Sequence, residues 1–556
     1  MKKKLISAVL VVSMVAFSLV GCSDGTTTES TASATEAATE ETSTEETATA
    51  DTATESSGKD TLVVGLNSDI TSLDPAYAYD HTTNQVVNQI TEGLLTFDEN
   101  GVMQPKLCSE WEAVDSTTYV YQIRDDITFS DGTPMTMDDV LFSVQRHMDP
   151  EVASYVAWFY DNVESIEQTG DWELTVKLTE PDASWQYAFA TTAGHIISKA
   201  YYEEHADTFG TPEGGILGTG AYVFNSWVTG SEILLDYNEN YWAGEVPDVK
   251  HIDFQIIEEE TTRVTAMVNN QIDFTLDPPT ELLSQLEGAE NVTLSEVPAW
   301  SILYLAMNCQ KAPFDDVNVR KAISYAIDKD ALYQSMLTQE GTPANNSIPF
   351  SSSLYGAAAD SWDAFDDTAV EYSGDIEKAK ECLAASAYPD GFDCTLYVNT
   401  NSLRNSIALY VQQALKEIGI NVNIETRSGD EMITIQFGSH ERDYDMAIVK
   451  WEADYPDPSG NIYPLFYSGN AGEGGANTCN YQNADFDALI EDELASTDLE
   501  KRTADMQEAL KILAEDNPAV IFFYPVKRVA MNSSVSGFSV NASMIWNFYI
   551  KDMKLQ

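Results

Sequence analysis

From Thr61 onward, stretches in which apolar residues alternate with polar ones take turns with stretches of helical spacing. Thr61 to Leu66 predicts a strand, and the turn residues Leu73-Asp74-Pro75 lead into a helical pattern from Gln85 to Glu92 that Gly93 stops. After Trp111, strand-like alternation puts Tyr119, Tyr121 and Ile123 on one face, and Asp131-Gly132 marks a turn. Thr136-Met137-Asp138-Asp139 resembles a capping box, so a helix carrying Val140, Phe142, Ser143 and Val144 should begin there. Strands are predicted at Leu174 to Leu178, Ile233 to Tyr237 and Ile252 to Ile257, and an amphipathic helix at Thr261 to Asn270. A helix over Val317 to Ile327 is primed by Asp315 or Asp316. Another, Ser402 to Ile418, is stopped by Gly419 and followed by a strand at Ile420 to Ile424. Met446 to Val449 is a short apolar run suited to a buried strand. The alternation gives an α/β protein with no repeat, whose lobes are joined by strands rather than by loose linkers.

The first sixty residues break this pattern. Lys2, Lys3 and Lys4 precede an apolar run from Leu5 to Val20 that ends in Leu19-Val20-Gly21-Cys22, which reads as a secretory signal and is short for a membrane span. The ending resembles a bacterial lipobox, and that resemblance makes Cys22 the lipid-modified mature N-terminus. Ser23 to Gly58 is almost wholly Ser, Thr, Ala, Gly, Glu and Asp, too polar to bury a core. As a flexible tether (residues 23–60) it reaches about 35 Å. The folded part is expected outside the cytoplasm, held to the bacterial cell membrane by lipid on Cys22.

The 556 residues exceed one ordinary core, and typical domain sizes predict about two to four. With 90 acidic residues against 29 Lys plus Arg, the formal charge of −61 excludes nucleic acid and anionic lipid surfaces as partners. No Asp-x-Asp-x-Asp-Gly calcium series occurs. Cys108, Cys309, Cys382, Cys394 and Cys479 form neither a disulfide framework nor a zinc pattern. Cys382 and Cys394 could meet across a helix-turn-strand, but all five read best as small buried hydrophobes. The six histidines show no ligand spacing, and neither a Gly-x-Ser-x-Gly elbow nor a phosphate-cradling glycine loop is present. No metal, cofactor or enzymatic activity is expected.

The chemistry concentrates between Tyr444 and Pro458, where the apolar run empties into Trp451, Asp454, Tyr455, Pro456 and Pro458. The prolines stiffen the loop, and a carboxylate beside two flat amphipathic rings suits a ligand with a positive end and an apolar body. The competing reading makes Asp454 the cap of the next helix and Trp451 part of the core.

Several motifs, in order, resemble the bacterial extracellular solute-binding proteins of the oligopeptide- and dipeptide-binding family. They are Glu110-Trp111-Glu112 with Tyr119 and Ile123-Arg124-Asp125, Phe129-Ser130-Asp131-Gly132-Thr133-Pro134-Met135-Thr136, and Gly218-Thr219-Gly220-Ala221-Tyr222. Asn308 with Lys311-Ala312-Pro313-Phe314-Asp315-Asp316-Val317-Asn318-Val319-Arg320-Lys321-Ala322 and Trp451-Glu452-Ala453-Asp454-Tyr455 complete the set. The resemblance implies a two-lobed, periplasmic-binding-protein-like fold with an additional third domain. Lobe one would comprise residues 61–91, 219–299 and 525–556, the extra domain 92–218, and lobe two 300–524. It implies a monomeric receptor that takes peptides in the inter-lobe cleft and passes them to an ABC transporter permease. The same fold binding an oligosaccharide or a nickel chelate is the alternative. By the same resemblance Asp454 grips the ligand's α-ammonium, and Lys450, Trp451 and Glu452 lend main-chain groups and an aromatic wall. Arg404 falls where a cation meets the ligand carboxylate, though it could equally be an exposed first-turn arginine. Tyr155 and Tyr304 are candidate cleft walls. Ile448 stands where some oligopeptide binders carry arginine, which leaves room for a ligand of another length or kind.

Overall fold

The computed structural model describes residues 59–345, 348–438, 444–472 and 474–556. The leader, most of the tether and Cys22 lie outside the described residues. The folded body is organised on a twelve-stranded mixed sheet. At its centre runs one fourteen-residue strand, Ala519–Asn532. Its first half pairs antiparallel with Ser301–Met307, beyond which lie Met446–Glu452, Asp393–Val398 and Asn421–Thr426. Its second half pairs with Val292–Pro298 and Phe274–Leu276, beyond which lie Thr61–Leu66, His251–Ile256, Glu232–Tyr237 and Tyr222–Val228. Two lobes therefore share one continuous strand.

The chain crosses between the halves of the sheet a second time at Ala299 and Trp300, beside the first crossing. The Ala299 amide donates to the Pro525 carbonyl at 2.9 Å. Proline is tolerated at 525 because its missing N–H falls where the strand changes partners. The short strand Gly341–Pro343 packs onto the same point. Any Cβ on Gly341 would overlap the Tyr524 carbonyl oxygen, so only glycine permits this approach.

Local chemistry explains most element boundaries. The strand Thr61–Leu66 matches its expected span. The expected capping box forms: Asp139 N donates to Thr136 Oγ1 at 3.3 Å and Thr136 N donates to Asp139 Oδ2 at 2.9 Å, opening the helix Met137–Gln145. Thr136→Ala should cost about 1 kcal/mol, read as a lower denaturant midpoint at unchanged slope. An unchanged midpoint would show that these bonds contribute nothing net. Asp316 caps Val317–Ala326, and Gly419, at φ +84°, follows the end of Ser402–Lys416. Tyr119, Tyr121 and Ile123 are buried on one face of Thr118–Ile123, inside a separate four-stranded antiparallel sheet. Cys382 and Cys394 are free thiols and make no disulfide.

Two boundaries differ from expectation by three residues or more. The first helix spans His81–Ile90 rather than starting at Gln85, because Asp80 accepts from the Thr83 amide and fixes an earlier start. The strand that opens at Met446 does not stop at Val449 but runs to Glu452. Ser301–Leu303 supply backbone partners for Lys450, Trp451 and Glu452, and pairing overrides their polar character.

Candidate functional site

Because side chains on a strand alternate, Lys450 and Glu452 leave one face of Met446–Glu452 and Trp451 leaves the other. Each face meets a cavity. Trp451 and the following Asp454 line one of about 640 Å³, with Tyr79, Trp158, Tyr455 and Tyr463 on its walls. Its other carboxylates are Asp161, Glu180 and Asp182, and no Lys, Arg or His among the described residues lines it. Lys450 lines a second cavity, about 340 Å³, with Arg404, Lys527 and Arg528. One side of the strand is thus acidic and aromatic, the other largely basic.

The loop after the strand is held on all sides. Trp546 Nε1 donates to the Asp454 carbonyl at 2.6 Å, and Trp451 Nε1 donates to the Gly460 carbonyl at 3.0 Å. Tyr455 stacks on Tyr187 with centroids 5.1 Å apart and planes 5° from parallel. Asp457, not Asp454, holds the start of the next helix, Ser459–Phe466, whose N-cap is Pro458: its Oδ1 accepts from Ser459 N at 2.9 Å and Oγ at 2.7 Å, while its Oδ2 meets Arg502 at 2.9 Å. The Asp454 side chain is therefore left for other work.

Asp454 Oδ1 accepts a hydrogen bond from the Tyr79 hydroxyl at 2.8 Å. Oδ2 has no hydrogen-bond partner among the described residues. Burial raises the Asp454 pKa to about 7; Tyr79's hydrogen bond opposes that rise and the nearby Glu452 adds to it. Burial and the Asp454 carboxylate together push Tyr79 well above the usual phenol range, so it stays a donor. Glu452 behaves oppositely. Burial disfavours its charge, yet Lys527 at 2.8 Å, Lys450 at 3.1 Å and His81 at 3.2 Å outweigh burial and hold it well below the usual carboxylate range. Two carboxylates two residues apart are thus driven in opposite directions.

Arg404 sits in the first turn of its helix, half-buried, and its guanidinium makes no ion pair or hydrogen bond among the described residues; burial lowers its pKa. It shares the basic cavity with Lys450 but not the cavity that holds Asp454. Tyr155 and Tyr304 are the departures. Tyr155 is 54% exposed, edge-on to Tyr77 at 5.4 Å, and lines neither cavity. Tyr304, expected on the cleft wall, is fully buried because its strand is central and covered on both faces. Tyr79 escaped the sequence reading, since nothing local marks a tyrosine whose partner lies 375 residues away.

The main chain offers one more feature. Met446–Glu452 pairs with Ser301–Met307 along its whole length, but with Asp393–Val398 only at Met446 and Ala447. Among the described residues one edge from Ile448 to Glu452 therefore has no strand partner, and the Lys450 carbonyl takes a bond from the Gln436 side chain, at 3.3 Å, instead. An open edge beside an anchored carboxylate and an aromatic cavity, on a two-lobed α/β fold, is suited to binding a small solute.

Residues 102–473 match the model of the bacterial extracellular solute-binding proteins, family 5, and the chain belongs to that family. It is 29% identical over 504 residues to the “Probable D,D-dipeptide-binding periplasmic protein DdpA” of Escherichia coli, covering 89% of this chain and 94% of that one. It is 28% identical over 491 residues to the heme-binding protein A of Haemophilus influenzae, covering 83% and 85%. Among solved structures, it superposes on the periplasmic binding protein DppA of Helicobacter pylori, in complex with the peptide STSA, with TM-score 0.71 and 25% identity over 89% of this chain and 98% of that one. The protein is a solute-binding protein of the ABC-importer kind. Among the described residues no helix is long and apolar enough to cross a membrane.

Proposed function

We propose that the protein is a peptide receptor that hands its ligand to an ABC transporter permease, tethered to the membrane through lipid on Cys22. The observation that carries this reading is Asp454, a carboxylate with one oxygen unclaimed among the described residues, facing an aromatic cavity that no described base lines. A peptide α-ammonium satisfies such a group. The peptide main chain would pair with the open edge at Lys450 to Glu452, as in strand addition, which favours tolerance of ligand sequence. Arg404, without an acidic partner, would meet a carboxylate on the far side of the strand. The D,D-dipeptide-binding relative and the peptide-bound DppA structure support a peptide over another solute.

Residues 61–91, 219–299 and 525–556 would form one lobe and 300–524 the other, with 92–218 as the extra domain. The two neighbouring crossings at Ala299 and Pro525 would act as the hinge. A mixture of free-amine peptides two to five residues long, used as probe, should compact the protein in small-angle scattering. At 100 times the dissociation constant it should also stabilise the fold by about 2.7 kcal/mol, raising the melting temperature. Identical radii and melting temperatures with and without the mixture would count against a closing peptide trap.

A further inference from the structure

We infer that Tyr79 is a positioning residue for Asp454: its hydroxyl fixes one carboxylate oxygen and leaves the other to the ligand's ammonium. This rests on the peptide reading given above. Tyr79 is itself held in place. The next residue, Asp80, caps the helix His81–Ile90, the Ala78 carbonyl takes a hydrogen bond from Thr192 at 2.7 Å, and the Tyr77 hydroxyl donates to Val152 at 2.7 Å. A phenol on so firm a backbone delivers its proton to one point. That point is Asp454 Oδ1, at 2.8 Å, on a loop anchored by Trp546 and contributed by the other lobe. Tyr79 is 39% exposed and lines the acidic cavity, so it stands at the place of binding rather than behind it.

Among the described residues the charged groups around Asp454 leave this role to Tyr79. Asp161, Glu180 and Asp182 line the same cavity and offer it no positive charge, and the nearby Glu452 disfavours a charge on Asp454. The cations of the neighbourhood, Lys450, Lys527 and His81, are paired with Glu452 instead. Among the described residues the Tyr79 hydrogen bond is what favours the carboxylate form, and without it less of the protein would carry an anion able to accept ammonium.

The test uses Tyr79→Phe, which keeps the ring and removes only the donor, on the full chain. Infrared pH-difference spectra of the ligand-free protein, taken against the same protein carrying Asp454→Asn, isolate the Asp454 carboxyl band. Its midpoint is expected near pH 7 in the parent and about one pH unit higher in Tyr79→Phe, the equivalent of a tenfold change in the protonation equilibrium. In parallel, the variant-to-parent ratio of affinity for a free-amine peptide mixture should be about one-fifth at pH 7 and return to about one above pH 9. The ligand's own titration cancels from that ratio. An unmoved infrared midpoint overturns the inference whatever happens to binding. A moved midpoint with an affinity ratio of one at every pH, while Asp454→Asn binds as the parent does, instead overturns the peptide reading on which it rests. A lowered affinity that is the same at every pH would show a merely structural role for Tyr79 and also overturn the inference.

Discussion

Asp454→Asn is expected to weaken binding of a free-amine peptide by about 30- to 5,000-fold, because removing one member of a desolvated charge pair costs roughly 2 to 5 kcal/mol. The amide keeps the carboxylate's shape and still accepts from Tyr79, so the loop held by Trp546 should not move. Acetylating the peptide's N-terminus removes the other member of the pair. The two losses should therefore overlap rather than add, and calorimetry on the four combinations measures that coupling directly. A variant that binds free-amine peptides as tightly as the parent would remove Asp454 from the site. Asp457 already accepts from the first amide of the following helix, so the helix start would not be left to the Asp454 side chain.

Affinity for the same peptides should collapse in acid, by about 50-fold between its maximum and pH 5. The sign follows from the direction of the shift. Burial lifts Asp454 from the ordinary carboxylate range to about 7 in the empty site, and the ligand's ammonium binds only the ionised form. Binding is therefore unimpeded above that value and loses about tenfold for each pH unit below it. The ligand's α-amino group, with pKa about 7.7–8.0, deprotonates on the other side, so affinity should peak between about pH 7 and 8. Asp454→Asn should flatten the acid limb. A parent whose affinity is level from pH 5 to pH 7 would show that Asp454 is already ionised throughout, or that it does not touch the ligand.

Glu452 makes the contrast instructive. It carries the same functional group two residues earlier, yet Lys527, Lys450 and His81 keep it charged far into acid. It should contribute nothing to that limb. Two of its partners, Lys450 and Lys527, lie on strands from either half of the central sheet, so its strand position ties those halves together.

Much of the fold could be read locally. The strand Thr61–Leu66, the Thr136 capping box, the Asp316 helix start and the Gly419 stop each depend on residues within a few positions of one another, and each appears where the pattern put it. The ordered motifs from Glu110 to Tyr455 likewise pointed to the family that the chain belongs to. Such features are legible because caps, turns and alternation are set by backbone geometry over three or four residues.

What escaped was set by partners distant in sequence. The strand at Met446 gained Lys450, Trp451 and Glu452 because Ser301–Leu303 offered a backbone ladder, and no composition rule foresees a ladder. Tyr304 went into the core because its strand became central, with other strands on both edges and side chains on both faces. The resemblance singled out Asp454 for the ligand and left Glu452 to lend main-chain groups, but that their charges are driven in opposite directions came from Tyr79, Lys527 and His81. The sequence by itself determined the elements, their order and the loop that carries the carboxylate. Only the tertiary structure decided which carboxylate was left with an open oxygen, since a charge is settled by what surrounds it in space and not by its neighbours along the chain.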